Sequence, residues 1–211
     1  MLVHFDVPLG FSSMPMGMSM EQSQLYLRER LRDAGEMAAE IEPQAARRIH
    51  DISHLLNQAG VIYAGGSLGR VGDQPSVATL LITAQNFSYG SDTRIAAEGA
   101  MLAFTAARGK DWTGQVYDLP CGPAALAMGI RAQPLPPPEE SADPAYAPVA
   151  ELHAFVPVPD HATAADQYML TATFTTPSVQ HWEVYMPPMV ELLRSITFEE
   201  QAKATCPSTS S

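Results

Sequence analysis

Four stretches of the chain combine residue types and spacing that could do chemistry. The first is GGSLG (65–69), which matches G-x-S-x-G with Ser67 in the nucleophile position. In that motif a strand turns sharply into a helix and lifts the serine hydroxyl beside backbone N–H donors. Here RVGDQP (70–75) follows, which is turn material leading into another strand, so the required helix is missing. Asp160 with His161 or His181 would complete a hydrolase set, and a small serine hydrolase is the enzymatic alternative. The second stretch is HDISH, where His50 and His54 stand at i and i+4, close to the zinc helix H-E-x-x-H. At about 100° per residue, the apolar stripe of Ala45, Ile49, Ile52 and Leu56 falls nearly opposite both histidines. They are therefore expected on a polar helix face with Arg47, Asp51 and Gln58, and no metal is expected.

The third stretch is MPMGMSM, which sets Met14, Met16, Met18 and Met20 at alternate positions after Phe11. Thioethers bind Cu(I), but no cysteine or histidine lies nearby in sequence. Polarizable side chains with little shape commitment suit varied apolar partners, and core filling is the plainer alternative. The fourth is Cys121 in PCGP, with no helix after it to lower its pKa and no histidine beside it. Gly66, Gly69 and Gly72 do not form G-x-G-x-x-G and precede a strand, so no dinucleotide cofactor is expected.

The elements that would position these residues follow from periodicity. Residues 2–8 read as a strand. Ser19 with Gln22 is a capping-box pattern opening a helix whose stripe runs Met20, Leu27, Leu31, Ala34, Ala38, Ile41. Pro43 then marks a break and the first turn of a second helix. From residue 60 the period becomes two. Strands at 60–69 and 76–85 flank a turn at 71–76, the pattern of an antiparallel hairpin. Ser91 or Asp92 caps a helix to about Arg108 that is apolar on more than one side and so expected to be well buried. Strand candidates 115–120 and 124–130 surround the CGP turn.

Residues 133–148, rich in proline and acid, read as a long excursion between strands of one domain spanning 1–211. The clearest hairpin joins 149–158 to 167–176. Ala150, Leu152, Ala154 and Val156 share one face with Tyr168, Leu170, Ala172 and Phe174. The opposite face carries Glu151, His153, Thr171, Thr173 and Thr175, and its polarity implies a solvated surface open to recognition, with His153 titratable near neutral pH. Pro177 begins a last helix with the stripe Trp182, Met186, Met189, Leu193, Ile196, kinked at Pro187 and Pro188. The tail from Gln201 reads as frayed.

The whole is an α+β chain, an antiparallel or mixed sheet with helices packed on it. The stretches VIYAGGSLGR, VYDLPCGPA, FVPVPD and LTATFTTPSVQHWEVYMPPMVELLRSITF resemble soluble actinobacterial members of the PsbP-like fold group. That group includes the Ran-binding Mog protein, PsbP of photosystem II, the DcrB-like proteins and mycobacterial LpqN-type lipoproteins. The resemblance spans residues 40–200 in element order and implies an α/β/α sandwich. It also implies a non-enzymatic binder, since DcrB-like relatives include chaperones for effectors of bacterial secretion systems. This chain lacks the lipoproteins' lipidation cysteine.

Composition sets bounds on partners. The 211 residues include 46% apolar and 17% charged residues, a globular balance. The net charge of −11 is a poor match for phosphate backbones, so no nucleic-acid partner is expected. Residues 1–138 hold 13 acids and 10 bases, whereas 139–211 hold 10 acids against Arg194 and Lys203. That acidic third reads as a solvated face or as docking surface for a basic partner. Neither a signal peptide nor an apolar run long enough to span a membrane appears. Two cysteines make no disulfide framework, which points to a reducing cytoplasm. The reading is a cytoplasmic adaptor or chaperone-like protein, with a homodimer left open. Its binding residues are Met14, Met16, Met18, Met20, Glu151, His153, Thr171, Thr173 and Thr175.

Overall fold

The computed structural model describes residues 2–30, 37–135, 145–159 and 167–199. Asp160, His161, the 136–144 part of the acidic excursion and the tail from 201 lie outside them. The short strands β1 (Leu2–His4) and β2 (Phe11–Ser13) precede helices α1 (Met20–Arg30) and α2 (Met37–Gln58). A hairpin of β3 (Val61–Val71) and β4 (Gln74–Asn86) leads into α3 (Thr93–Arg108). Then come β5 (Thr113–Leu119), β6 (Gly122–Pro134), β7 (Tyr146–Pro157) and β8 (Tyr168–Thr176), before α4 (Trp182–Ser195) and β9 (Thr197–Glu199). Seven strands form one antiparallel sheet in the order β2-β3-β4-β8-β7-β6-β5, and β1 pairs with β9. The fold is α+β, with helices on a sheet.

Local chemistry explains the boundaries. The Ser19 amide donates to Gln22 Oε1 (2.8 Å) and the Gln22 amide donates to Ser19 Oγ (3.2 Å), a closed capping box. Asp92 caps α3, its Oδ1 accepting from the amides of Arg94 (2.9 Å) and Ile95 (3.2 Å). The β3–β4 turn is tighter than its sequence suggests. Val71 pairs with Gln74, and Gly72 at φ +58° takes the left-handed position, so Pro75 and Ser76 belong to the strand. Pro134 pairs with Tyr146 and the Leu135 amide donates to Ala145 O (2.8 Å), so the acidic excursion leaves from a closed ladder.

Alternation places Ala150, Leu152, Ala154, Val156, Leu170, Ala172 and Phe174 on one face of the sheet. There they join Leu80 and Ile82 against Tyr185, Met189, Leu192, Leu193 and Ile196. α4 runs through Pro187 and Pro188 without ending. Trp182, expected in this core, is only half-buried and touches Phe174 at 5.9 Å between ring centroids. It lines a cleft of about 560 Å³ with Asp111, Met128 and Ile130.

Three expectations about the helices need correction. Pro43, expected to mark a break and open a helix, lies inside α2, which already runs from Met37. α3 is not well buried: among its residues only Ala96 and Ala97 are fully covered. The reason is that a single sheet face supports it, leaving its outer side to solvent. α2 is rotated relative to its apolar stripe, with Ala46 and Ser53 fully buried while Ile52 and Leu55 stay exposed.

Candidate functional site

The face of β7 and β8 opposite the core is the site that sequence alternation singles out. Register puts Glu151 beside Thr175, His153 beside Thr173 and Phe155 beside Thr171. The same face continues onto β4 through Thr79, Leu81 and Thr83, and onto β3 through Gly66 and Leu68. In the other direction it continues onto β6 through Ala125, Ala127 and Gly129. It is not one uniform surface.

Over β5, β6 and β7 the face is covered by α3. Phe104 rests 4.3 Å from the His153 ring, centroid to centroid, and 5.4 Å from Phe155, with Trp112 edge-on to it at 5.1 Å. Arg108 lies over the Phe104 and Trp112 rings at 5.0 and 5.4 Å, a cation–π contact. Glycine makes this close approach feasible. A Cβ on Gly129 would sit 2.5 Å from Trp112 Cδ2, and one on Gly114 would sit 2.4 Å from Met101 Sδ.

Glu151 (3% exposed) and His153 (8%) are therefore buried, which overturns the expectation of a solvated polar face on this strand. They persist because each finds partners, as buried polar groups must. Glu151 pairs with Arg131 Nε through one oxygen and with His153 Nε2 through the other, at 3.0 Å. His153 Nδ1 lies 3.2 Å from Thr173 Oγ1. Burial pushes the Glu151 carboxyl up, but hydrogen bonds from His153 and Arg131 outweigh it and hold the pKa below the usual range. Burial pushes His153 down, against the pull of Glu151 and with help from the charges of Arg108 and Arg131. The imidazole is thus neutral at pH 7. With Glu151 an obligate acceptor, Nε2 carries the proton and Nδ1 accepts from the Thr173 hydroxyl.

Hydroxyl, imidazole and carboxylate stand in the order of a nucleophile, base and orienting acid. Two features oppose turnover there. Phe104 caps the imidazole, and β8 is paired on both sides across Thr171–Thr175, so its amides are committed to ladders rather than to an oxyanion.

Over β4, β8 and the distal half of β3 the same face is open. Leu68 is 83% exposed, Val77, Thr79 and Gly66 are exposed, and Leu81, Thr83, Thr171, Thr173 and Thr175 are half-exposed. On this half the three threonines meet the sequence expectation of a reachable surface.

The methionines do not form one surface. Met18 is buried, Met14 and Met16 are half-buried, and Met20 is exposed. The segment is stitched down: Met14 N donates to Ala64 O (2.8 Å), Gly17 N to Ser53 O (3.1 Å) and Met18 N to Ser53 Oγ (3.2 Å). His50 Nδ1 bonds Met18 O at 2.8 Å, so His50 is half-buried while His54, its ring 4.5 Å away and edge-on, is exposed. Seating Met18 turns that side of α2 inward, which is why the stripe of Ile52 faces out.

Ser67 sits mid-strand, paired with Ala78 on one side and Phe11 on the other, and β3 continues to Val71 without an elbow. Cys121 lies half-buried in the turn between β5 and β6, where burial pushes its thiol up. A different serine meets a histidine. Ser76 Oγ is 2.9 Å from His181 Nδ1 and 2.6 Å from the Tyr185 hydroxyl, all three buried. This knot joins β4 to the start of α4, and no local motif announces it. Nearby, the Thr176 hydroxyl donates to Val77 O (2.6 Å) and Ser178 Oγ accepts from Val77 N (3.1 Å).

No protein-family model matches the chain, and no curated protein matches it. Among the described residues no helix is long and apolar enough to cross a membrane.

Proposed function

We propose that the protein is a non-enzymatic binder of another protein, an adaptor or chaperone-like module working from the cytoplasm. The observation that carries this reading is the open half of the sheet face, with Leu68, Val77 and Leu81 among threonines. Strands spaced at about 4.8 Å make β3, β4 and β8 together roughly 14 Å wide, enough for one helix of about 10–12 Å diameter. α3 supplies the precedent: it is a helix lying on the adjoining half of this very face. The occupant we propose is an amphipathic helix of the partner, its apolar side on the threonine–leucine floor. A net charge of −11 favours a basic outer side on that helix through long-range steering. The resemblance to the PsbP-like and DcrB-like group supports the same class of activity, including service to a bacterial secretion system.

The test uses a photo-crosslinking residue placed at Leu68, at Thr79 or, as control, at the exposed Val184 of α4. In native-host cells the first two positions should capture one common protein that Val184 does not. Thr79→Lys should weaken that capture at least tenfold. Equal capture from all three positions, or none from Leu68 and Thr79, would refute the reading.

A further inference from the structure

By the apolar spacing of α2, His50 and His54 share a polar face remote from any packing, and no metal is expected there. The fold places them otherwise. α2 is turned so that Ala46 and Ser53 are buried, and His50 lies half-buried at the margin of this packed side. The methionine segment runs along that margin. Gly17 N donates to Ser53 O, Met18 N donates to Ser53 Oγ, and His50 Nδ1 lies 2.8 Å from Met18 O. A carbonyl oxygen can only accept, so Nδ1 carries the proton and the neutral ring keeps its lone pair on Nε2.

An imidazole whose N–H is held by a main-chain carbonyl is the usual state of a metal-ligating histidine, because the held proton fixes the tautomer and raises the basicity of the other nitrogen. His54 stands one turn farther along α2, its ring centroid 4.5 Å from that of His50 and the two planes at 67°. It is exposed, and among the described residues no hydrogen bond fixes its ring. Two imidazoles sharing one ion at about 2.0–2.1 Å per nitrogen have ring centres about 4.5–5 Å apart. The rings therefore need to turn but not to approach. Among the described residues no third histidine, cysteine, aspartate or glutamate completes a cluster, which leaves the other coordination positions to water. Arg47 and Asp51, both exposed on the adjoining turn, offset each other in charge.

We infer that His50 and His54 form a two-imidazole chelate for a borderline divalent transition-metal ion such as Zn²⁺, held at the surface of α2 with water completing its shell. Imidazole nitrogen suits zinc, copper and nickel, whereas Mg²⁺ and Ca²⁺ seek oxygen. The Met18 carbonyl sets this pair apart from any two histidines at the same spacing. Half of the chelate is oriented in advance by a segment outside the helix, so less side-chain freedom is lost on binding. A net charge of −11 raises the concentration of cations around the molecule.

This inference does not rest on the proposed function, which uses residues of the sheet. The probe is Zn²⁺, titrated calorimetrically into the untagged full chain in a His4→Ala/Cys206→Ser background. Those changes remove an exposed imidazole of β1 and a thiol near the C-terminus. One equivalent should bind and should raise Tm, because the folded helix holds the pair together and the unfolded chain does not. His54→Ala, at an exposed position, should weaken binding at least tenfold and abolish the rise in Tm. The part played by Met18 is read by moving the pair. In a further His50→Gln/His54→Ala background, Arg47→His/Asp51→His sets two imidazoles at the same spacing on exposed positions away from that carbonyl. Loss of an outer partner costs about 10–100-fold in metal affinity, so the moved pair should bind at least about tenfold more weakly. Unchanged far-ultraviolet dichroism shows that each variant is folded. Absence of binding by the native pair, or binding that survives His54→Ala, would overturn the inference. So would equal affinity of the native and moved pairs, which would mark an adventitious ion only.

Discussion

The covered and open halves of one sheet face are built on the same alternation and end in opposite states. β7 carries large groups at Glu151, His153 and Phe155, and its neighbour β6 answers with Gly129, Ala127 and Ala125. That strip of minimal side chains is a depression, and Trp112, from the loop after α3, sinks into it over Gly129 as Phe104 of α3 settles on His153 and Phe155. Across β8 and β4 the facing residues are Thr171, Thr173, Thr175, Thr79, Leu81 and Thr83, all of middling size, with no depression for a helix of this chain. Contrast in side-chain volume, more than polarity, decides which half receives the cover. Polar groups under a cover then survive only as a closed network.

The sharpest test of that contrast compares neighbours in register, Glu151 and Thr175. Glu151→Ala leaves the His153 and Arg131 donors without their acceptor. It should cost about 2–3 kcal/mol, below the range for fully buried pairs because Arg131 is partly solvated. Thr175→Ala should stay within about 0.5 kcal/mol. Urea unfolding of both variants at pH 7 checks this, and equal effects would abolish the division.

A smaller effect is expected at the depression itself. Gly129→Ala drives a Cβ to 2.5 Å from Trp112, inside contact distance. Displacing the indole should cost about 1–3 kcal/mol and red-shift tryptophan emission as the ring gains water. The matching change on the open half, Gly66→Ala, meets only Ala78 O at 3.7 Å and should be nearly neutral.

The smallest effect is the pH dependence of the cover. A histidine whose folded pKa lies below its ordinary value of 6.5 is favoured by folding only when neutral. Its contribution is therefore complete above that value and declines as pH falls below it, by no more than about 1.4 kcal/mol per pH unit. Glu151, held below 4.5 in the fold, contributes above that value and loses its contribution as pH falls through its folded pKa. Both trends weaken the covered half in acid. Comparing wild type with His153→Gln in urea at pH 7.5 and pH 5.5 should show a loss in the former that the latter lacks. Parallel slopes would assign the acid sensitivity elsewhere.

Much of the scaffold was readable from local pattern. The alternation of β7 and β8, the hairpin of β3 and β4, the Ser19–Gln22 box and the Asp92 cap depend on near neighbours, and they appear where spacing puts them. Side-chain alternation also shows which residues share a face, but it carries no information about what lies over that face. Glu151 and Thr175 look alike in the sequence for that reason. The phase of α2 departs from its apolar spacing because Met18 arrives from another segment to claim the side of Ser53 and His50. The knot of Ser76, His181 and Tyr185 joins residues more than a hundred positions apart, a distance at which no period or spacing operates.

The strand order has a consequence for how the chain is made. β8, the last of the seven strands to leave the ribosome and followed by α4 and β9, occupies the fourth place in β2-β3-β4-β8-β7-β6-β5. Among the described residues it is the one strand that links the group of β2, β3 and β4 to the group of β5, β6 and β7. Until residues 168–176 emerge, translation has produced two separate ribbons, and the inner borders of both, β4 and β7, are bare. Joining them pairs Thr79–Asn86 with Tyr168–Thr175, a long-range closure of the kind that slows folding. A pause in synthesis just before Tyr168 would hold the nascent chain in its most adhesive form.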